Sequence, residues 1–97
     1  MHPRSTFIDG RVSILHLEDS TADHQLIVQA LKRSDLDFFI QRVETLGAFQ
    51  AAIDVTAFDI ILADYRLPGF NAEDAWRLLQ ASDSKIPFVP LSGSIVE

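Results

Sequence analysis

The sequence predicts an α/β domain, a parallel β-sheet with helices on both faces, and three observations carry that expectation. Apolar runs of strand length alternate with segments whose apolar residues recur at helical spacing, giving the order β-α-β-α-β-α-β. One run, Ile60-Ile61-Leu62-Ala63, is continuously apolar, as in a strand covered on both sides. The 97 residues suffice for one core and not for two.

The elements follow in chain order. Residues 1–11 are polar, mixed in charge and punctuated by Pro3 and Gly10, and read as a flexible N-terminal arm; the domain occupies 12–97. Val12 to Leu17 is a short apolar run stopped by Glu18-Asp19-Ser20-Thr21, which makes it the first strand. Ser20 or Thr21 caps the helix that follows, whose apolar face is Ala22, Leu26, Ile27, Ala30 and Leu31, with Lys32 and Arg33 at its C-terminal end. Residues 37–43, rich in Phe and β-branched side chains, form the second strand. Residues 45–53 return to helical spacing through Leu46, Phe49, Ala52 and Ile53. Residues 58–63, broken only by Asp59, form the third and central strand, which ends at Asp64. Residues 65–70 are a loop, and Asn71 caps a helix carrying Ala75, Trp76, Leu78 and Leu79. Residues 86–91 form the fourth strand, ahead of Ser92-Gly93-Ser94. Pro90 within it removes a backbone donor, which sheets tolerate chiefly at their edges.

Composition excludes several classes of function. Hydrophobic residues at 47% and charged residues at 23% describe an ordinary folded chain, and no apolar run reaches the roughly 20 residues of a membrane span. With no signal-peptide pattern at the N-terminus, the chain is expected to be cytoplasmic. The lack of cysteine removes disulfides, thiol catalysis and cysteine zinc sites. A formal charge of −6, with no basic cluster, disfavours nucleic acid and anionic membranes as partners. Trp76 and the seven Phe residues are accordingly expected in the core rather than in a base-stacking platform. His16 and His24 lack partners at metal-ligand spacing and are expected in core or surface roles.

The chemistry lies at the strand ends. Ligands of open parallel sheets gather outside the carboxyl ends of the strands. The first strand delivers Glu18 and Asp19, the third Asp64, and the fourth Ser92. If these strands are neighbours, three carboxylates and a hydroxyl converge. Clustered carboxylates repel unless a cation sits among them, and magnesium is held by one or two carboxylates together with phosphate oxygens, which points to phosphoryl chemistry. A carboxylate can itself accept the phosphoryl group.

Leu17-Glu18-Asp19-Ser20, then Ile61-Leu62-Ala63-Asp64-Tyr65-Arg66-Leu67-Pro68-Gly69, then Pro87-Phe88-Val89-Pro90-Leu91-Ser92-Gly93-Ser94 resemble, in order, the three characteristic segments of response-regulator receiver domains. The resemblance implies a three-layer, flavodoxin-like doubly wound sheet with strand order 2-1-3-4. It implies Asp64 as phosphoacceptor and Mg2+ ligand, Asp19 as a direct Mg2+ ligand, and Glu18 as a second acidic residue acting through water. The backbone carbonyl of Arg66 completes the protein ligands, Ser92 contacts a phosphoryl oxygen, and Gly93 matches the small residue after it. The implied partner is a histidine kinase or phosphotransfer protein in a two-component phosphorelay, and the domain is no enzyme beyond catalysing its own phosphorylation and dephosphorylation.

Two departures shape the remaining expectations. Receiver domains continue through a fifth strand, ending in a lysine, and further helices, so that roughly 30 residues are missing here and Lys85 lies at the wrong end of its strand to replace that lysine. A sheet face left without its last helix would be covered by a second copy, so a homodimer is expected through that surface. The alternative is a shortened, non-signalling receiver fragment that serves as a dimerisation or interaction module. A phosphohydrolase using an aspartyl intermediate is disfavoured, because the position two residues after Asp64 is Arg66 and not a second aspartate. A dinucleotide-binding turn is disfavoured because Glu-Asp-Ser-Thr stands where glycines would approach a pyrophosphate.

Overall fold

The computed structural model describes residues 10–67 and 69–91. Its main sheet contains β1 (Val12–Leu17), β2 (Phe38–Val43), β3 (Ile60–Asp64) and β6 (Phe88–Leu91), all parallel, in the order β2-β1-β3-β6. The helices are α1 (Thr21–Arg33), α2 (Leu46–Val55) and α3 (Ala72–Ala81). Counted along the parallel strands alone the order is 2-1-3-4, as the sequence resemblance implies, and the flavodoxin-like architecture is present. The arm expected over residues 1–11 falls almost wholly outside the described residues.

Period-two alternation splits the sheet into two unlike faces. Leu15 and Leu17 of β1 and Ile61 and Ala63 of β3 join Phe49 and Ala52 of α2 and Ala75 and Leu79 of α3 in the main core. Ile14 and His16, also buried, alternate with them and lie on the opposite face, where His24 of α1 meets His16. That face is thinly covered. None of the 13 residues of α1 is buried, and Leu26 is 65% exposed. Of the apolar residues expected to pack, only Ile27 and Leu31 are partly buried, whereas Ala22, Leu26 and Ala30 are exposed.

Each helix starts as its sequence dictates. Asp23 N–H donates to the Ser20 hydroxyl at the start of α1, so Ser20 rather than Thr21 is the cap, and Ala48 N–H donates to Thr45 at the start of α2. Asn71 and Asp74 exchange backbone-to-side-chain hydrogen bonds of 2.9 and 3.1 Å, a capping box that fixes the entry of α3.

Four sequence expectations need correction, the simplest being the fourth strand, which runs Phe88–Leu91 and not 86–91. The loop expected over 65–70 contains a small antiparallel hairpin, β4 (Arg66–Leu67) with β5 (Phe70–Asn71), turning at Gly69 with φ 82°. β3 starts two residues later than expected because Phe58 and Asp59 precede the ladder: Asp59 N–H donates to the Ser13 carbonyl, and Ser13 N–H donates to the Asp59 carboxylate, both at 2.7 Å. Trp76 and Phe39, expected in the core, are 46% and 45% exposed. Pro90 behaves as the edge rule requires. The carbonyls of Pro87 and Leu91 accept from Ile61 and Tyr65 N–H, so by alternation the Pro90 nitrogen faces the outer side of β6.

Candidate functional site

β1 and β3 are neighbours with Leu17 opposite Ala63, so the residues just beyond them meet at the carboxyl end of the sheet. Glu18 extends the β1–β2 pairing through a 2.9 Å bond from its N–H to the Val43 carbonyl, and Asp64 closes β3 opposite Leu91 of β6. One carboxylate oxygen from each of Glu18, Asp19 and Asp64 lies within 4.8 Å of the others. Glu18 is buried, Asp64 half-buried and Asp19 exposed, so the cluster is graded from the sheet interior to solvent.

The electrostatics follow from that grading. Burial pushes the Glu18 carboxyl up to about 7; the Ser20 N–H bond opposes the rise, and the charges of Asp64, Asp23 and Asp19 add to it. A cation bound among these oxygens would offset both the burial cost and the mutual repulsion. Three carboxylate donors in a polar cleft match the oxygen-rich set that magnesium takes, and they lack the nitrogen and sulfur ligands that softer metals prefer.

The surrounding backbone holds the rim. Tyr65 N–H donates to Leu91 at 2.7 Å, and its carbonyl accepts from Ala72 N–H at 3.1 Å, which ties β3, β6 and α3 together directly after Asp64. Arg66 opens β4 two residues beyond Asp64, paired with Asn71. Tyr65, Ala72, Glu73, Trp76, Phe88 and Pro90 line an open groove of about 310 Å³ beside this rim. Ser92 and Gly93, expected at the phosphoryl-binding end of the fourth strand, lie outside the described residues.

Spacing had pointed to no partner for either histidine, yet their Nδ1 atoms are 2.9 Å apart. His16 is fully buried and adjoins the cluster, its Nε2 3.9 Å from Glu18 Oε1. Burial, then the charges of His24 and Arg42, lower its pKa to about 4. The available signal was a histidine two residues before Glu18, on the same side of the strand.

No protein-family model matches the sequence, and no curated protein does. Solved structures do. A MaeR response-regulator mutant bound to sulfate superposes with a TM-score of 0.77 at 16% identity, over 88% of this chain and 70% of its own. The receiver domain of the sensor histidine kinase PA1611 from Pseudomonas aeruginosa, with a magnesium ion coordinated in its active-site cleft, gives 0.75 at 21% identity, over 91% and 72%. The non-phosphorylated HemR receiver domain from Leptospira biflexa gives 0.71 at 21% identity, over 90% and 68%. The chain has the receiver-domain fold.

Proposed function

We propose that this chain is a phosphoacceptor receiver domain of a two-component phosphorelay, acting in the cytoplasm, in which Asp64 takes a phosphoryl group from a histidine kinase or phosphotransfer protein. The observation that carries the reading is the convergence of Glu18, Asp19 and Asp64 at the carboxyl end of a receiver-type sheet. In the reaction an Asp64 oxygen attacks phosphorus, the bond from phosphorus to the donor imidazole nitrogen breaks, and that nitrogen leaves with the electron pair. Asp19 and Asp64 directly, Glu18 through water and the Arg66 carbonyl would hold Mg2+. When bound, the ion supplies charge neutralisation for the incoming phosphoryl oxygens. Ser92 is the hydroxyl assigned to a phosphoryl oxygen. Turnover is confined to the domain's own phosphate.

Incubation with magnesium and a small phosphodonor, followed by intact mass measurement, tests this reading. One phosphoryl adduct is expected on the wild type and none on Asp64→Asn. Labelling that persists in the variant, or in excess chelator, would sink it.

The homodimer belongs to the same proposal. Its support is the uncovered side of the sheet, where Leu26 is 65% and Val89 37% exposed and α1 buries no residue. Sedimentation at micromolar concentration should give the dimer mass. A monodisperse monomer that binds no apolar dye would remove this part of the proposal and leave phosphotransfer standing.

A further inference from the structure

His16 is held from three sides. Arg42 of β2 and Leu62 of β3 flank it in register, and His24 of α1 lies above it with ring centroids 5.1 Å apart. Its Nδ1 is engaged by His24 Nδ1 at 2.9 Å. Its Nε2 is fully buried and has no hydrogen-bond partner among the described residues, and it faces Glu18 Oε1 at 3.9 Å. The nearby guanidinium is already engaged, since Arg42 Nη1 donates to the Glu18 carbonyl at 3.2 Å and pairs with Glu44 at 3.3 Å. The other oxygen of the same carboxylate, Oε2, accepts from Ser20 N–H at 3.1 Å.

A neutral imidazole carries one ring proton, and an ionised carboxylate can only accept. With the proton on Nδ1, the Nε2 lone pair would face the lone pairs of Oε1. With the proton on Nε2, His24 Nδ1–H donates to His16 Nδ1, and His16 Nε2–H is aimed at Oε1 across 3.9 Å, an attraction in place of a lone-pair clash. We infer that His16 is a positioning residue for Glu18: the Ser20 N–H bonds Oε2, the buried Nε2–H of His16 faces Oε1 from the other side, and His24 on α1 fixes the tautomer that makes this possible. The inference rests on the reading of the acidic cluster as a magnesium site. Groups that orient a metal-ligating side chain typically change affinity 10- to 100-fold, and because Glu18 acts through water the lower end, about tenfold, is expected.

The test measures magnesium binding calorimetrically in the wild type, His16→Leu and His16→Gln, together with the melting of each metal-free protein. His16→Leu should fold and lose about tenfold in affinity. His16→Gln keeps a donor near the Nε2 position and should recover to within about threefold of the wild type. Nitrogen-15 spectra of the magnesium-bound wild type should show the His16 proton on Nε2. Wild-type affinity in His16→Leu, a well-folded His16→Gln as weak as His16→Leu, or a proton on Nδ1 in the bound form would each overturn the inference. If His16→Leu does not fold, the glutamine variant and the wild-type spectra decide. A wild type that binds no magnesium would overturn the site reading itself, an outcome distinct from a wild type that binds while its variants bind equally well.

Discussion

Glu18 and His16 lie 3.9 Å apart, and burial shifts them in opposite senses. The folded protein holds the Glu18 carboxyl near 7 against an ordinary 4.5, so between those pH values the native state binds more protons than the unfolded chain, and stability falls as pH rises. It holds His16 near 4 against an ordinary 6.5, so there the unfolded chain binds more protons, and stability rises with pH. In magnesium-free buffer the Glu18 and His16 slopes oppose each other from about pH 4.5 to 6.5, and His24, whose pKa burial and the Arg42 charge also lower, adds to the rise, so the wild-type denaturation midpoint should rise only gently there. His16→Leu removes the larger rising contribution and should shift the profile towards a fall as pH approaches 7, whereas Glu18→Gln should keep only the rise. Parallel profiles for all three proteins would refute these shifts. A second outcome concerns the metal. Asp19→Ala should weaken magnesium binding more than Glu18→Ala, because a direct ligand contributes more than one acting through water; calorimetry giving the reverse order would exchange their roles. At this scale the acidic trio was legible from the sequence, since carboxylates following apolar runs land at strand ends whatever the details of packing. The histidine pair was not, because His16 and His24 sit on different elements and only the seating of α1 on the sheet brings their rings together.

Among the elements, β1 and the existence of the three helices follow the hydrophobic pattern, whereas strand starts, short strands and the depth of helix burial do not. Two-residue strands such as β4 and β5 are too short to show alternation, so Arg66 to Asn71 reads as a plain loop although its backbone pairs. The apolar face of α1 was identified, but a pattern gives the direction of a face and says nothing of what covers it. Asp59 looked like an interruption of an apolar run. It is instead a clasp, 8% exposed, that accepts from Ser13 N–H and joins the starts of β1 and β3. Asp59→Leu strands that N–H and should cost about 1–3 kcal/mol of stability, measured by chemical denaturation, with magnesium affinity unchanged because the clasp is at the opposite end of the strands from Asp64. A loss below about 0.5 kcal/mol would show that water replaces the carboxylate.

Across the whole molecule the two sides of the sheet differ in how firmly they are closed. α2 and α3 enclose a continuous core, whereas α1 rests on its side through partial contacts and the His24–His16 bond. Protection of backbone amides against deuterium should therefore divide the chain into two classes. Leu15, Leu17 and Ile61 should exchange only through global opening, and the amides of α1 through a separate excursion of much lower free energy. Since His24 moors the first turns of α1 to the row that ends at Glu18, magnesium should slow deuterium uptake in those turns by more than it does in α2. Uptake that is equally slow in α1 and β1 without the ion would mean the helix does not open by itself. Where it does open, each excursion lifts His24 away from His16 and lets water reach β1, so the lifetime of the closed helix limits how long Glu18 keeps its orientation.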